Sequence, residues 1–469
     1  MDEIRIGLDF GTHQTKICIQ RTPDEGHGVP EYEFFKFHDL NGNEQYFLPS
    51  VVQIDKDDTL SYGYVDPEYL KDSSSKSYQP VSLTIDEETE MLYKKYSDEK
   101  SNGVESKAAL IAMLNKKREI DDKLYQERLN DDHISICNHE ENLFRYFKQA
   151  SLAEYPWEGK YNPNLLCIWY LAYVIFLLED RYPDGFGINM GVPTDDKTFN
   201  QKRELGTQLL ISAFHLVEDE YNKDFRKFLK AKVSDLLKKT VIPEFSEDDK
   251  DLYRINIFPE AYASLNGLTS RGKLTEGMSV NADIGGGTTD ISFFIVKDRI
   301  PKIYKYWSLP RGLNYIAEMS GFDYYDKDFI KNARQEVIDK FNSKKDEVVY
   351  NLIQKLIELV RAHGLFKSNL INALRNRILV YNGGGSTYSE ITKSVYSFTD
   401  VRVADSELWA EEIVKEKNKV SKLFNLLTTA YGLSVSENDS DVVLCDLDTI
   451  FASYNNTVYD KQEIDKDVC

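Results

Sequence analysis

These 469 residues encode an α/β chain whose two halves repeat one another and face a shared cleft. The main observation is internal. With Asp9 laid on Asp283, the segments IGLDFGTHQTKICI (residues 6–19) and NADIGGGTTDISFF (residues 281–294) also match Gly11 with Gly285, Thr15 with Thr289 and Ile17 with Ile291. Both segments read as a strand ending in Asp-apolar-Gly, a tight small-residue turn and a returning strand. A second pair, residues 188–194 (INMGVPT) and 379–387 (LVYNGGGST), is in each half a strand, a glycine turn and the start of a helix. Strand-like and helical stretches also alternate along both halves, as in layered α/β folds.

The elements follow in order. Ile4, Ile6, Leu8 and Phe10 alternate with Arg5, Gly7 and Asp9, which gives a first strand with one apolar face. After a short turn, residues 16–20 alternate again and complete a hairpin, and residues 45–65 read as extended chain around Pro49. Residues 84–132 carry dense charge of both signs around short apolar clusters, the pattern of an exposed helical insertion, either a solvated subdomain or a partner-binding surface. His133, Cys137 and His139 lie just beyond it, and three loosely spaced candidates fall short of a tetrahedral metal site. The apolar run at residues 165–178 has 14 residues where a bilayer needs about 20, and it stops at Glu179, Asp180 and Arg181, so it reads as a helix buried on most sides.

Residues 185–194 form a strand entering a Gly-Pro turn, and a long helical stretch is expected over 197–239. A strand at 255–258 then leads into the helix start PEAYASLNGL. The second half has a hairpin over 279–296, mixed helices over 322–366, a strand at 378–382, the turn at 383–386 and a further helix.

Composition narrows the function classes. A net charge of −20 repels phosphate backbones, so general nucleic-acid binding is not expected. With 41 % apolar and 12 % aromatic residues the chain can fill its cores. Five scattered cysteines without a CxxC pair fit a reducing compartment. The N-terminus, MDEIRIGLDFG, has no basic region followed by an apolar stretch, which leads to the expectation of a cytoplasmic protein that neither enters nor crosses a membrane.

The glycine turns have a chemical use. Glycine allows a sharp turn and close approach of a ligand, so that successive N–H groups converge on an anion. Two such hairpins facing each other would grip a polyphosphate from both sides. Asp9 and Asp283 would then hold a hydrated magnesium ion, which prefers a few carboxylates plus water.

The ordered set of motifs resembles the actin-like ATPase superfamily, and within it the nucleotide-binding domain of DnaK-type heat-shock chaperones. GLDFGTHQTK looks like the first phosphate loop, with Gly11, Thr12 and His13 at the nucleotide, and ADIGGGTTD like the second, with Gly285, Gly286, Gly287 and Thr288. YNGGGST is similar to the adenosine-contacting turn, with Gly384, Gly385 and Ser386. FPEAYAS and LLTTAYGLS resemble the two interlobe helices. The resemblance implies a two-lobed actin-like ATPase fold, that is, duplicated ribonuclease H-like domains around a central nucleotide cleft, plus the helical insertion. Lobe I would take residues 1–268, with the 84–132 insertion and with 425–469 returning to it, and lobe II residues 269–424. ATP or ADP with magnesium would be bound, Asp9 and Asp283 would hold the metal, and the catalytic set would be Asp9, Asp283 and Glu260.

The sequence departs from the family in five respects. Glu260 takes the catalytic glutamate's place when PEPxAA is laid on PEAYAS, whereas a different proline alignment puts Phe258 there. His13 stands where the chaperones usually have a hydroxyl residue, and it could donate to the γ-phosphate or merely fill the turn. The family's catalytic lysine has no alignable position; Lys71 and Lys76 are candidates by position only. Tyr388 occupies a place where arginine is common. The 35 residues after Ser434 are too few for a β-sandwich with a helical lid. The expectation is therefore a DnaK-like, chaperone-like stand-alone ATPase: a slow hydrolase that switches conformation for a protein partner or client. The alternatives are an actin-like filament former, a nucleotide-binding pseudoenzyme and, more weakly, a sugar or acetate kinase; oligomeric state stays open.

Overall fold

The computed structural model describes residues 2–23, 29–71, 141–153, 159–193, 198–242, 244–270, 276–309, 311–320, 329–362, 378–392, 402–403 and 424–439, with isolated positions at 94, 115–116, 157, 274, 442, 444–447 and 450. The insertion expected over 84–132, the His133, Cys137 and His139 trio, Lys76 and residues 451–469 lie outside these, apart from those isolated positions.

The protein is α/β, and its two large sheets share one topology. In the first, β1 (Glu3–Phe10) is central. It pairs antiparallel with β2 (Gln14–Thr22), which pairs antiparallel with β3 (Glu31–Phe34). On its other side β1 pairs parallel with β4 (Gly187–Val192), and β4 pairs parallel with β5 (Ile255–Pro259). In the second sheet β6 (Gly277–Ile284) is central, with β7 (Thr289–Lys297) and β8 (Ile300–Leu309) antiparallel on one side. β9 (Ile378–Asn382) and β10 (Arg402–Val403) continue parallel on the other. The duplicated hairpins therefore occupy equivalent places, and their registers agree: Asp9 lies opposite Lys16, and Asp283 opposite Asp290.

Each sheet has its own core. The first is packed around α2 (Pro163–Arg181), which contains the apolar run. Asn162 caps it by accepting from the Asn164 N–H at 2.9 Å, and Pro163 at the first position gives up no useful donor. By length and composition α2 could cross a membrane, but 11 of its 19 residues are buried inside the protein. Against it pack α1 (Phe147–Leu152) and α3 (Phe199–His215). The single long helix expected over 197–239 is interrupted. After α3 the chain makes a π-helical turn at Leu216–Glu220, then passes through left-handed conformations at Asn222 and Lys223 before two short helices. The second core lies against α5 (Leu313–Ser320) and α6 (Gln335–Ala362).

The first strand differs from its one-sided sequence pattern, since Gly7 and Asp9 are buried along with Ile6, Leu8 and Phe10. The covering element is α7 (Phe424–Val435), which lies so close that a Cβ on Gly7 would strike the Ala430 carbonyl. α7 also crosses α4 (Glu260–Thr269), where a Cβ on Gly432 would strike the Ala263 carbonyl. Gly267 faces that crossing, with the Thr428 carbonyl 3.0 Å from where its Cβ would sit.

Candidate functional site

The two hairpin turns open onto one cleft of about 340 Å³, within the usual range for small-molecule sites. Of the residues singled out from sequence, Asp9, Gly11, Thr12, His13, Glu260 and Asp283 line it, as do Gly285, Gly286, Gly287, Thr288 and Gly384. Gly385 and Ser386 lie beneath the surface instead. Gly385 packs on Ile284, and the Ser386 hydroxyl donates to the Gly383 carbonyl at 2.7 Å, holding the turn's shape.

Each turn is held from behind. In the first, the Gly11 carbonyl accepts from the Ser50 hydroxyl at 2.7 Å, and the His13 carbonyl from the Ser50 N–H at 2.8 Å. In the second, the carbonyls of Gly285 and Gly286 accept from the Leu313 and Asn314 N–H groups at 3.0 and 2.8 Å. Gly312 lets that strand–helix junction press against them. Among the described residues the N–H groups of Gly286, Gly287 and Thr288 meet no acceptor. A run of donors of this kind is suited to an anion.

The halves touch across the cleft. A Cβ on Gly286 would overlap the His13 ring, and the His13 Nε2–H donates to Asn314 Oδ1. The ring also meets Tyr146 edge-on at 5.0 Å. Burial, with Arg145 and Lys16 nearby, outweighs the Asn314 bond and pushes the His13 pKa down to about 3, so the imidazole is neutral at physiological pH.

The floor is rich in carboxylates. Asp9 is paired with Lys16 at 2.9 Å; burial is the largest influence and opposes the lysine's charge, but Asp9 together with Asp283 and Glu260 outweighs it and raises the Lys16 pKa. Asp283 is pushed up to about 8, first by burial and then by Asp290, Glu260 and Asp9, with Lys16 acting weakly in the other direction. Asp290 is raised to about 6, chiefly by burial, while Thr288 donates to it at 3.2 Å. Glu260 opens α4 directly after Pro259, and its carboxylate is ion-paired with Lys148. Gly191 on β4 makes room for it, since a Cβ there would come within 2.9 Å of the Glu260 side chain. Phe258, the alternative position, is fully buried against Tyr262.

At the far end Gly383, with φ +76°, brings the third turn against the Asp283 carboxylate and the Ile284 carbonyl. Tyr388 and Phe329 meet there edge to face at 5.8 Å and line the cleft, giving that end an aromatic, apolar lining.

Sequence reasoning missed several of these residues. Lys71 does not reach the cleft; it is ion-paired with Asp58 at the surface. Among the described residues the lysines that line it are Lys16 and Lys148. Lys16 and Asp290 stood at equivalent places in the repeat and could have been found there. Lys148 lies on α1, outside the repeated hairpin segments, so no sequence pattern pointed to it. Among the described residues no group of three or more histidine, cysteine or acidic side chains is arranged as a metal site. A cation held by Asp9 and Asp283 would thus depend on water and ligand oxygens, which suits magnesium.

No protein-family model matches the chain, and no curated protein matches it either. Fold and site together define an α/β protein with a duplicated strand–turn–strand unit, whose glycine turns and acidic floor share one cleft.

Proposed function

We propose that the protein is a two-lobed, actin-like, DnaK-related module that binds Mg·ATP in this cleft and hydrolyses it slowly, changing conformation for a protein partner. One observation carries the reading: both copies of the repeated hairpin, with Asp9 and Asp283 at equivalent positions, line a single cleft between two sheets of identical topology. The turn amides fit phosphates, the Tyr388 and Phe329 end fits a base, and Asp9 and Asp283 would hold the metal. Magnesium, when bound, would neutralise phosphate charge. Glu260 orients the attacking water, Lys148 holds Glu260 in place, and the N–H groups of Gly286 to Thr288 stabilise the transferring phosphoryl. The neutral His13 bridges the two turns through Asn314. Among the described residues Cys18 and Cys167 are buried thiols outside any disulfide, consistent with work in the cytoplasm.

Thermal melting tests the reading. At a ligand concentration a hundred times the dissociation constant, binding adds about 2.7 kcal/mol of stability. The melting midpoint should rise with Mg·ATP and Mg·ADP, and Asp283→Asn should lose the magnesium-dependent part. No shift for the wild type at saturating Mg·ATP would refute the proposal.

A further inference from the structure

Residues 223–239 run against the charge of the chain. Seven of them are basic and two are acidic, in a protein of net charge −20. They form the two short helices after α3, Phe225–Leu229 and Val233–Lys239, which are pinned to the first core by Phe228, Val233 and Leu236. Residues 193–254 join β4 to β5, whereas only residues 383–401 join β9 to β10, so the helix pair is an addition to the repeated unit. Lys223 is ion-paired with Glu179 and Glu218, Lys227 with Asp224 and Lys239 with Glu220. Arg226, Lys230, Lys232 and Lys238 are exposed, and among the described residues none of these four has an ion-pair partner. Interleaved with them and just beyond, Leu229, Leu237, Val241 and Ile242 are 39–53 % exposed. Helices of five and seven residues are only about 8 and 10 Å long, so the cations and the aliphatic side chains lie within one small region of the surface. A face built only for solubility gains nothing from four aliphatic side chains in water, and one built only for packing would not set unpaired cations beside them.

We propose that this helix pair docks an acidic, amphipathic segment of a partner protein, whose carboxylates meet Arg226, Lys230, Lys232 and Lys238 and whose aliphatic side chains cover Leu229 and Leu237. Charge decides between the occupants. The field of the basic region reaches about 8 Å at physiological salt. An anionic membrane or a nucleic acid extends well beyond that range and would also face the strongly acidic remainder of the chain, while a second copy of the chain repels the first overall. A short acidic segment meets the helix pair alone. Its carboxylates supply steering and its aliphatic side chains supply the dry contact that a purely acidic polymer lacks. The docking does not depend on nucleotide binding, so its failure would leave that reading standing.

The test is fluorescence anisotropy of the full-length protein with a labelled synthetic peptide. The peptide, about 15 residues long, carries glutamates and leucines spaced to share one helix face, and a control peptide has serine in place of each leucine. Binding of the leucine peptide should saturate, and it should weaken roughly tenfold between about 50 and 200 mM salt. The double variant Lys230→Glu, Lys238→Glu should weaken it roughly tenfold or more. Leu229→Ser with Leu237→Ser should weaken it severalfold and leave the salt dependence as it was. All four positions are exposed, so the variants should melt with the wild type. Absence of saturable binding, or a charge-reversed variant that binds as the wild type does, overturns the inference. Equal binding of the serine peptide also overturns it, because the region would then be a simple ion exchanger. Tighter binding to phosphatidylserine vesicles than to the peptide overturns it in favour of lipid, and salt-sensitive dimers that Lys230→Glu dissociates overturn it in favour of a second copy.

Discussion

Replacing Lys148 by methionine tests the wiring of the cleft without relying on any enzymatic assay. The lysine side chain is 4 % exposed and its partner Glu260 16 %, so the pair is largely cut off from water. Removing one member of a fully buried pair costs about 3–5 kcal/mol, because the other charge is left uncompensated. Here Glu260 keeps some contact with water, which lowers the expectation to about 2–3 kcal/mol. The remaining carboxylate would face Asp283 and Asp290, both already raised by Glu260, so its isolation is real. Lys148 also sits 5.7 Å above the Phe10 ring, a contact the methionine stem largely keeps in packing if not in charge. For a chain of this size the melting midpoint should fall by roughly 2–3 °C. Glu260→Gln in the Lys148→Met background should recover part of the loss, because it removes the stranded charge, giving a coupling of about 1–3 kcal/mol. Urea melts of the wild type, both single variants and the double variant complete the cycle. Additive effects, or a Lys148→Met variant that melts with the wild type, would refute the claim that the two side chains act as a unit.

Acid should expose His13. Its folded pKa of about 3 lies below the unfolded value of 6.5, so the unfolded chain binds more protons between them and stability falls as pH drops through that window. Relative to His13→Asn, the wild type should lose about 2 kcal/mol between pH 7 and pH 5, and parallel melting profiles would contradict this. At the α4–α7 crossing, Gly432→Ala must push α7 away from the Ala263 carbonyl. Overpacking costs about 1–3 kcal/mol against roughly 1 gained in helix propensity, so a midpoint a few degrees lower is expected, and one at or above the wild type would count against the crossing.

The parts of the molecule legible in the sequence were those carried by local pattern. Alternation marked β1 and β2, and the repeat marked the two turns and put Asp9 and Asp283 at equivalent positions. The α2 run announced its burial through its own apolarity. What escaped were partners fixed only by the tertiary fold. Lys148 meets Glu260 across 112 residues of chain, and His13 meets Asn314 across 301. The second buried face of β1 was hidden because its cover, α7, arrives from the end of the chain and the position it presses on is a glycine, which carries no hydrophobic signal. The break after α3 was missed because Lys223, a residue type that seldom takes the left-handed conformation, joins Asn222 in it.

The equivalent positions Lys16 and Asp290 carry opposite charges. One hairpin thus brings its own counterion to its aspartate, while the other sets two acids side by side and leaves them to be neutralised from outside. A scaffold with near two-fold internal symmetry therefore encloses an interior with a definite electrical direction. On the nucleotide proposal, a ligand with a charged end and an apolar end would be seated there in one sense, and a cation would be drawn toward the second hairpin rather than shared evenly. The symmetry of the backbone supplies two gripping surfaces, and this one exchanged charge gives the grip its polarity.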